Sequence, residues 1–124
     1  MRKNVVALGV SAGIVIAVAP VAASAKSASF DGKWNVRLVT EAGTCDSSYI
    51  KTIAIENGQV RPLSGGTEAI SISGGVGTDG NVALSIRQSI AEAKAHGRLR
   101  PQSGKGSWNL PMLGCTGHWT ASRA

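Results

Sequence analysis

The chain has 124 residues, with 13 Lys+Arg against 7 Asp+Glu and a formal net charge of +6. That length supports one domain and excludes a multidomain enzyme. Sixteen glycines beside three Trp, one Tyr and one Phe argue against a helix bundle and for an all-β domain with many turns.

Arg2 and Lys3 give the chain a positive start, and Val5 to Ala19 is apolar apart from Ser11. Pro20 ends that run, because proline cannot continue a helix. Ala23-Ser24-Ala25 then places small residues where a signal peptidase needs them. This is the layout of a secretory signal peptide over residues 1–25, leaving 26–124 as a single β-barrel domain. The apolar run is short for a membrane span of roughly 20 residues. No cysteine lies near the cleavage point, which argues against a lipoprotein. The expected location is periplasmic or secreted, in a bacterium. Export would remove two of the 13 basic residues.

From Phe30 to Thr40 the side chains alternate. Trp34, Val36, Leu38 and Thr40 share one face; Lys33, Asn35, Arg37 and Val39 share the other. Period two with one largely polar face predicts a half-buried strand. Glu41 to Thr44 is a turn. Tyr49 to Glu56 alternates again, with Tyr49, Lys51, Ile53 and Ile55 together, and Asn57-Gly58 follows at once. Asn-Gly is a strong hairpin signal because both residues tolerate the positive φ of a type I′ turn. Gln59 to Leu63 pairs back, and Ser64-Gly65-Gly66 is a loop. Glu68 to Val76 is the next strand, Thr78-Asp79-Gly80-Asn81 the next hairpin turn, and Asn81 to Arg87 the strand after it.

Gln88 to His96 carries two signals. Gly97 stands where a helix C-cap would sit, yet Ala91, Ala93 and Ala95 alternate with Glu92, Lys94 and His96. Strands on both sides favour a strand, continuing to Arg100. Pro101 to Gly104 turns the chain, Lys105 to Leu110 is a strand around Trp108, and Cys115 to Ser122 closes the domain. The sum is about eight short antiparallel strands, the number that closes a small up-and-down barrel. A two-sheet sandwich is the alternative. The expected interior is narrow and filled by Trp34, Leu38, Ile53, Ile55, Leu84, Ile86 and Trp119, which leaves the surface loops for binding.

In an oxidising compartment two cysteines read as one disulfide, Cys45–Cys115, closing a loop that spans most of the domain. Cys115-Thr116-Gly117-His118 also has a C-x-x-H spacing, and Cys45 would add a third metal ligand, but zinc sites use three or four ligands and export favours the disulfide. No metal site is expected.

Asp31-Gly32-Lys33-Trp34 and the closing Gly117-His118-Trp119-Thr120-Ala121-Ser122-Arg123 resemble the two ends of lipocalin-like barrels. That resemblance implies a structural pair, Arg123 packed over Trp34 by a cation–π contact, although the chain is shorter than a usual lipocalin. The pattern Phe30-Asp31-Gly32-x-Trp34, Cys45-Asp46, Asn57-Gly58, Gly97-Arg98-Leu99, Gly106-Ser107-Trp108 and Cys115-x-Gly117-x-Trp119 more closely resembles a group of small exported bacterial β-proteins of unassigned function. Some members carry haem-utilisation or adhesion labels; the resemblance implies no functional residues. In architecture the chain is also similar to the exported bacterial metalloprotease inhibitors, whose disulfide closes a much shorter loop.

Non-enzymatic binding or an envelope-associated role is the favoured function, with a protein or an anionic envelope component as partner and no specific nucleic acid. A basic stretch, Lys94, Arg98, Arg100 and Lys105, is a candidate polyanion patch. No aromatic residues interleave it for base stacking. A protease-inhibitor role would use a free segment near Lys26–Phe30. A small hydrolase would use Asp46 and His118, brought together by the disulfide, with a serine. Haem would use His96, His118 or Met112, but no C-x-x-C-H motif is present, and no cofactor is expected.

Overall fold

The alternation builds eight antiparallel strands. The computed structural model describes residues 29–63 and 70–124; the expected signal peptide and the Ser64-Gly65-Gly66 loop lie outside them. The strands are β1 (Gly32–Ala42), β2 (Ser48–Glu56), β3 (Gln59–Pro62), β4 (Ser71–Val76), β5 (Asn81–Gln88), β6 (Ala91–Leu99), β7 (Ser103–Leu110) and β8 (Cys115–Arg123). A 3₁₀ turn, Pro111–Leu113, links the last two. Among the described residues no helix is long and apolar enough to cross a membrane.

The turns follow from the residues in them. Asn57 and Gly58 have φ of 51° and 80°, the two positive values a type I′ hairpin requires. Asp79-Gly80 works differently. Gly80 N–H donates to the Gly77 carbonyl and Gly77 N–H to the Asn81 carbonyl, while the Asp79 carboxylate accepts the Asn81 N–H at 2.9 Å. The Gln88–His96 segment resolves as strand: Ala95 faces Trp108 and Gly97 faces Gly106 across the β6–β7 ladder. Small inward side chains there suit a sheet packed on indole rings.

The sheet order is β3-β2-β1-β8-β7-β6-β5-β4. First and last strands therefore pair in the middle of the sheet, Trp34 opposite Arg123 and Leu38 opposite Trp119. The sheet edges are β3 and β4, neighbours in the chain. They meet at one end, where Val76 N–H donates to the Gly58 carbonyl at 2.8 Å. Gly75 permits this approach, since a Cβ on it would lie 2.4 Å from that same carbonyl oxygen. Above this point no further backbone bond joins β3 to β4 among the described residues. β3 is four residues long, and the last bond from it to β2 among the described residues runs from Leu63 N–H to the Thr52 carbonyl. The barrel is thus nearly closed, with a seam.

Cys45 and Cys115 form the expected disulfide, with Cα atoms 6.2 Å apart. It ties the β1–β2 loop to the start of β8. The buried core includes Phe30, Trp34, Ile55, Val60, Val82, Leu99, Trp108 and Trp119.

Candidate ligand cavity

An up-and-down meander puts alternate turns at opposite ends. One end, here the floor, carries the Asn57-Gly58 turn, the Gly77–Gly80 turn, Pro101-Gln102 and the end of β8. The other, the mouth, carries the disulfide loop, Ser89-Ile90 and the 3₁₀ turn.

The floor is sealed by the chain itself. Arg123 lies over the Trp34 ring, 4.7 Å from its centroid. Its guanidinium donates to the carbonyls of Asp31 at 2.7 Å, Ser29 at 3.0 Å and Pro101 at 2.9 Å. The Trp34 indole N–H donates to the Phe30 carbonyl at 2.9 Å. The fork geometry of arginine suits three separate carbonyls in a way a lysine cannot match. Residues 29–31 are thereby held against the floor, with Phe30 buried.

On β1, β2 and β5 the inward side chains are less buried toward the mouth than at the floor, whereas Cys115 is fully buried at the mouth end of β8. On β1 Trp34 is buried and Val36, Leu38 and Thr40 are half-buried; on β5 Val82 is buried and Leu84, Ile86 and Gln88 are half-buried. On β2 Ile55 is buried, Ile53 and Tyr49 are half-buried, and Lys51 is exposed. The gradient marks an interior that opens at the mouth end. A cavity of about 440 Å³ occupies it, and Trp34, Leu38, Ile53, Ile55, Leu84, Ile86 and Trp119 all stand in its wall. The expectation of a filled interior is therefore corrected. These side chains line the space.

The cause is an asymmetry between the two halves of the barrel. On the β6–β8 side two indoles lie flat over glycines. A Cβ on Gly106 would fall 2.7 Å from Trp119, and one on Gly117 would fall 2.7 Å from Trp108. Both rings are anchored: Trp119 N–H reaches the His96 and Ser107 carbonyls, each at 3.1 Å, and Trp108 N–H the Val39 carbonyl at 3.3 Å. On the other side Val36, Ile53, Ile72, Leu84 and Ile86 are half-buried aliphatic side chains packed against the core. The wall is apolar except for a few groups, chiefly Tyr49, Lys51, Thr52 and Gln88. Exposed Ile90, Met112 and Leu113 stand on the mouth-end turns.

The other candidate residues lie outside the cavity. Lys94 and Arg98 are exposed on the outer row of β6, with Lys105 opposite Arg98 on β7 and Arg100 just beyond the strand. Arg98 donates to the Asp79 carbonyl at 3.2 Å. His118 faces outward, its Nδ1 2.8 Å from a Glu41 carboxylate oxygen. The structure thus pairs His118 with Glu41 and not with Asp46, whose N–H is held by the Tyr49 hydroxyl at 3.1 Å. The disulfide consumes both thiols of the Cys45–Cys115–His118 metal reading, and no cluster of three metal-ligating side chains occurs among the described residues. Glu92, on the same outer surface, accepts a hydrogen bond from Ser85, which holds its carboxyl below the usual range, with Arg87 and Lys94 acting in the same direction.

No protein-family model matches the chain, and no curated protein matches its sequence. The functional reading rests on the site alone.

Proposed function

We propose that this protein is an exported, non-enzymatic binding protein that holds a small apolar molecule inside its barrel. The supporting observation is the cavity: about 440 Å³ and walled chiefly by aliphatic and indole side chains. Concave, mostly apolar sites of about 300–1,000 Å³ with a few placed polar groups are the usual form of small-molecule pockets. The outward row, with Lys33, Asn35 and Arg37 on β1 and Lys94 and Arg98 on β6, is polar and suits a barrel surrounded by water. The apolar mouth residues Ile90, Met112 and Leu113 offer a sparingly soluble ligand a surface to cross on entry. Export accords with the disulfide, which persists in oxidising compartments.

The neutral fluorophore N-phenyl-1-naphthylamine tests this. It is expected to brighten on binding with one-to-one stoichiometry and to be displaced by 1-dodecanol. Absence of any fluorescence gain, or a gain that survives unfolding in urea, would remove the reading.

A further inference from the structure

The geometry points to an anionic amphiphile as the ligand, an apolar chain ending in a carboxylate that pairs with Lys51 at the mouth. This rests on the cavity reading above and adds the chemistry of the head group.

Lys51 stands on the inner row of β2, between Tyr49 and Ile53. Its cross-strand neighbour on β1 is Val36. Most other inward positions in this tier are aliphatic: Val36, Ile72, Leu84 and Ile86. A lysine there breaks the pattern, since a charged side chain on an apolar wall forgoes burial that valine or isoleucine would supply. Among the described residues it is the one charged side chain in the cavity wall, and no carboxylate among them shares the wall to repel an anion. Among the described residues no acidic side chain forms an ion pair with it. Its exposure keeps the ammonium in water at the point where the wall turns polar. Two residues along the same face is Tyr49, whose hydroxyl oxygen accepts the Asp46 N–H, leaving the phenol O–H as a second donor. An extended ligand with its tail toward Trp34, Ile55 and Val60 would set its head group beside these two side chains.

Among the described residues Lys51 also lies on the stretch of β2 beyond its pairing with β3. An inward lysine on a sheet edge can serve only to block edge-to-edge association. The two roles differ in what they predict for binding.

The experiment is calorimetric titration of the full chain with dodecanoate and with 1-dodecanol, in low salt at neutral pH. The acid is expected to bind about tenfold more tightly than the alcohol, the scale of one hydrogen bond to a charged group. That preference should shrink in 1 M NaCl, where screening acts within about 3 Å. It should fall to within about twofold in Lys51→Met and persist in Lys51→Arg, which retains the positive charge. Equal binding of acid and alcohol by the unaltered protein would overturn the proposal and leave Lys51 an edge guard, with the cavity reading intact. A preference unchanged in Lys51→Met would overturn it as well. Should Lys51→Met fail to fold, the acid-to-alcohol ratio and its salt dependence in the unaltered protein decide alone. Binding of neither compound would overturn the cavity reading along with it.

Discussion

Filling the cavity from its wall should stabilise the fold and weaken binding together. Ala93 is the suitable position. It lies on β6 opposite Ile86, half-buried, and lines the cavity. Ala93→Leu adds three carbons. At about 0.8 kcal/mol per buried CH₂, complete burial would contribute about 2.4 kcal/mol. The site is partly open, so about 1–1.5 kcal/mol is the reasonable share. A domain of this size gains about 4–8 °C in Tm per kcal/mol, giving a rise of about 4–12 °C. A packed interior predicts the opposite sign, because inserting carbons into a close-packed core costs about 1–3 kcal/mol. Thermal unfolding followed by circular dichroism reads the first effect, and N-phenyl-1-naphthylamine titration the second. A lower Tm with unchanged fluorophore binding would show that the space is not there to be filled.

Two further outcomes concern what holds the barrel shut. The disulfide closes a loop with a sequence separation of 70, for which the chain-entropy estimate is about 4 kcal/mol. Cys45→Ala/Cys115→Ala should therefore lower the calorimetric Tm by about 16–32 °C, and an unchanged Tm would refute that account. Arg123→Ala removes three guanidinium bonds and the Trp34 contact, and should cost about 2–3 kcal/mol in urea unfolding. Arg123→Lys should restore less than half of the loss, because an ammonium cannot span three carbonyls; full restoration would show that charge alone matters.

Much of the fold was legible in the sequence because period-two alternation and Asx-Gly turns are local signals. The strand faces on β1, β2 and β5 follow directly from that alternation, and with only two cysteines the pairing had one solution. The ambiguous Gln88–His96 stretch was settled by its partners, since Ala95 and Gly97 meet Trp108 and Gly106 only once β6 and β7 are paired. The seam was not legible: which strands form the edges depends on long-range pairing, although the four-residue β3 ending at Pro62 hints at it. The cavity was not legible either. Alternation identifies inward side chains, not the distance across which they face one another. The one local anomaly was Lys51 among inward aliphatics, visible in the sequence and without meaning until the interior proved open. His118 and Asp46 were each near a cysteine, but the bulge in β1 between Thr40 and Ala42 accompanies a pairing of His118 with Glu41 instead.

The two halves of the barrel differ in how fully their inward side chains are buried. On the β6–β8 side, glycine lets indoles lie against the sheet, and their N–H groups bond to strand carbonyls, so large rings are buried without unpaired polar atoms. On the β1–β5 side, aliphatic side chains stay half-exposed and forgo part of the free energy that full burial would give. A domain this small has little stability to forgo, which is why the disulfide and the Arg123 clamp matter: one ties the β1–β2 loop to β8 and the other holds residues 29–31 against the floor. The same deficit makes the folded state responsive to a ligand. Any molecule that covers those aliphatic walls binds the native chain and not the unfolded one, and so stabilises it in proportion to the logarithm of its concentration over Kd. A cavity with a rigid floor and, among the described residues, a single charge in its wall suits the proposed ligand, whose binding would complete the stability of the fold.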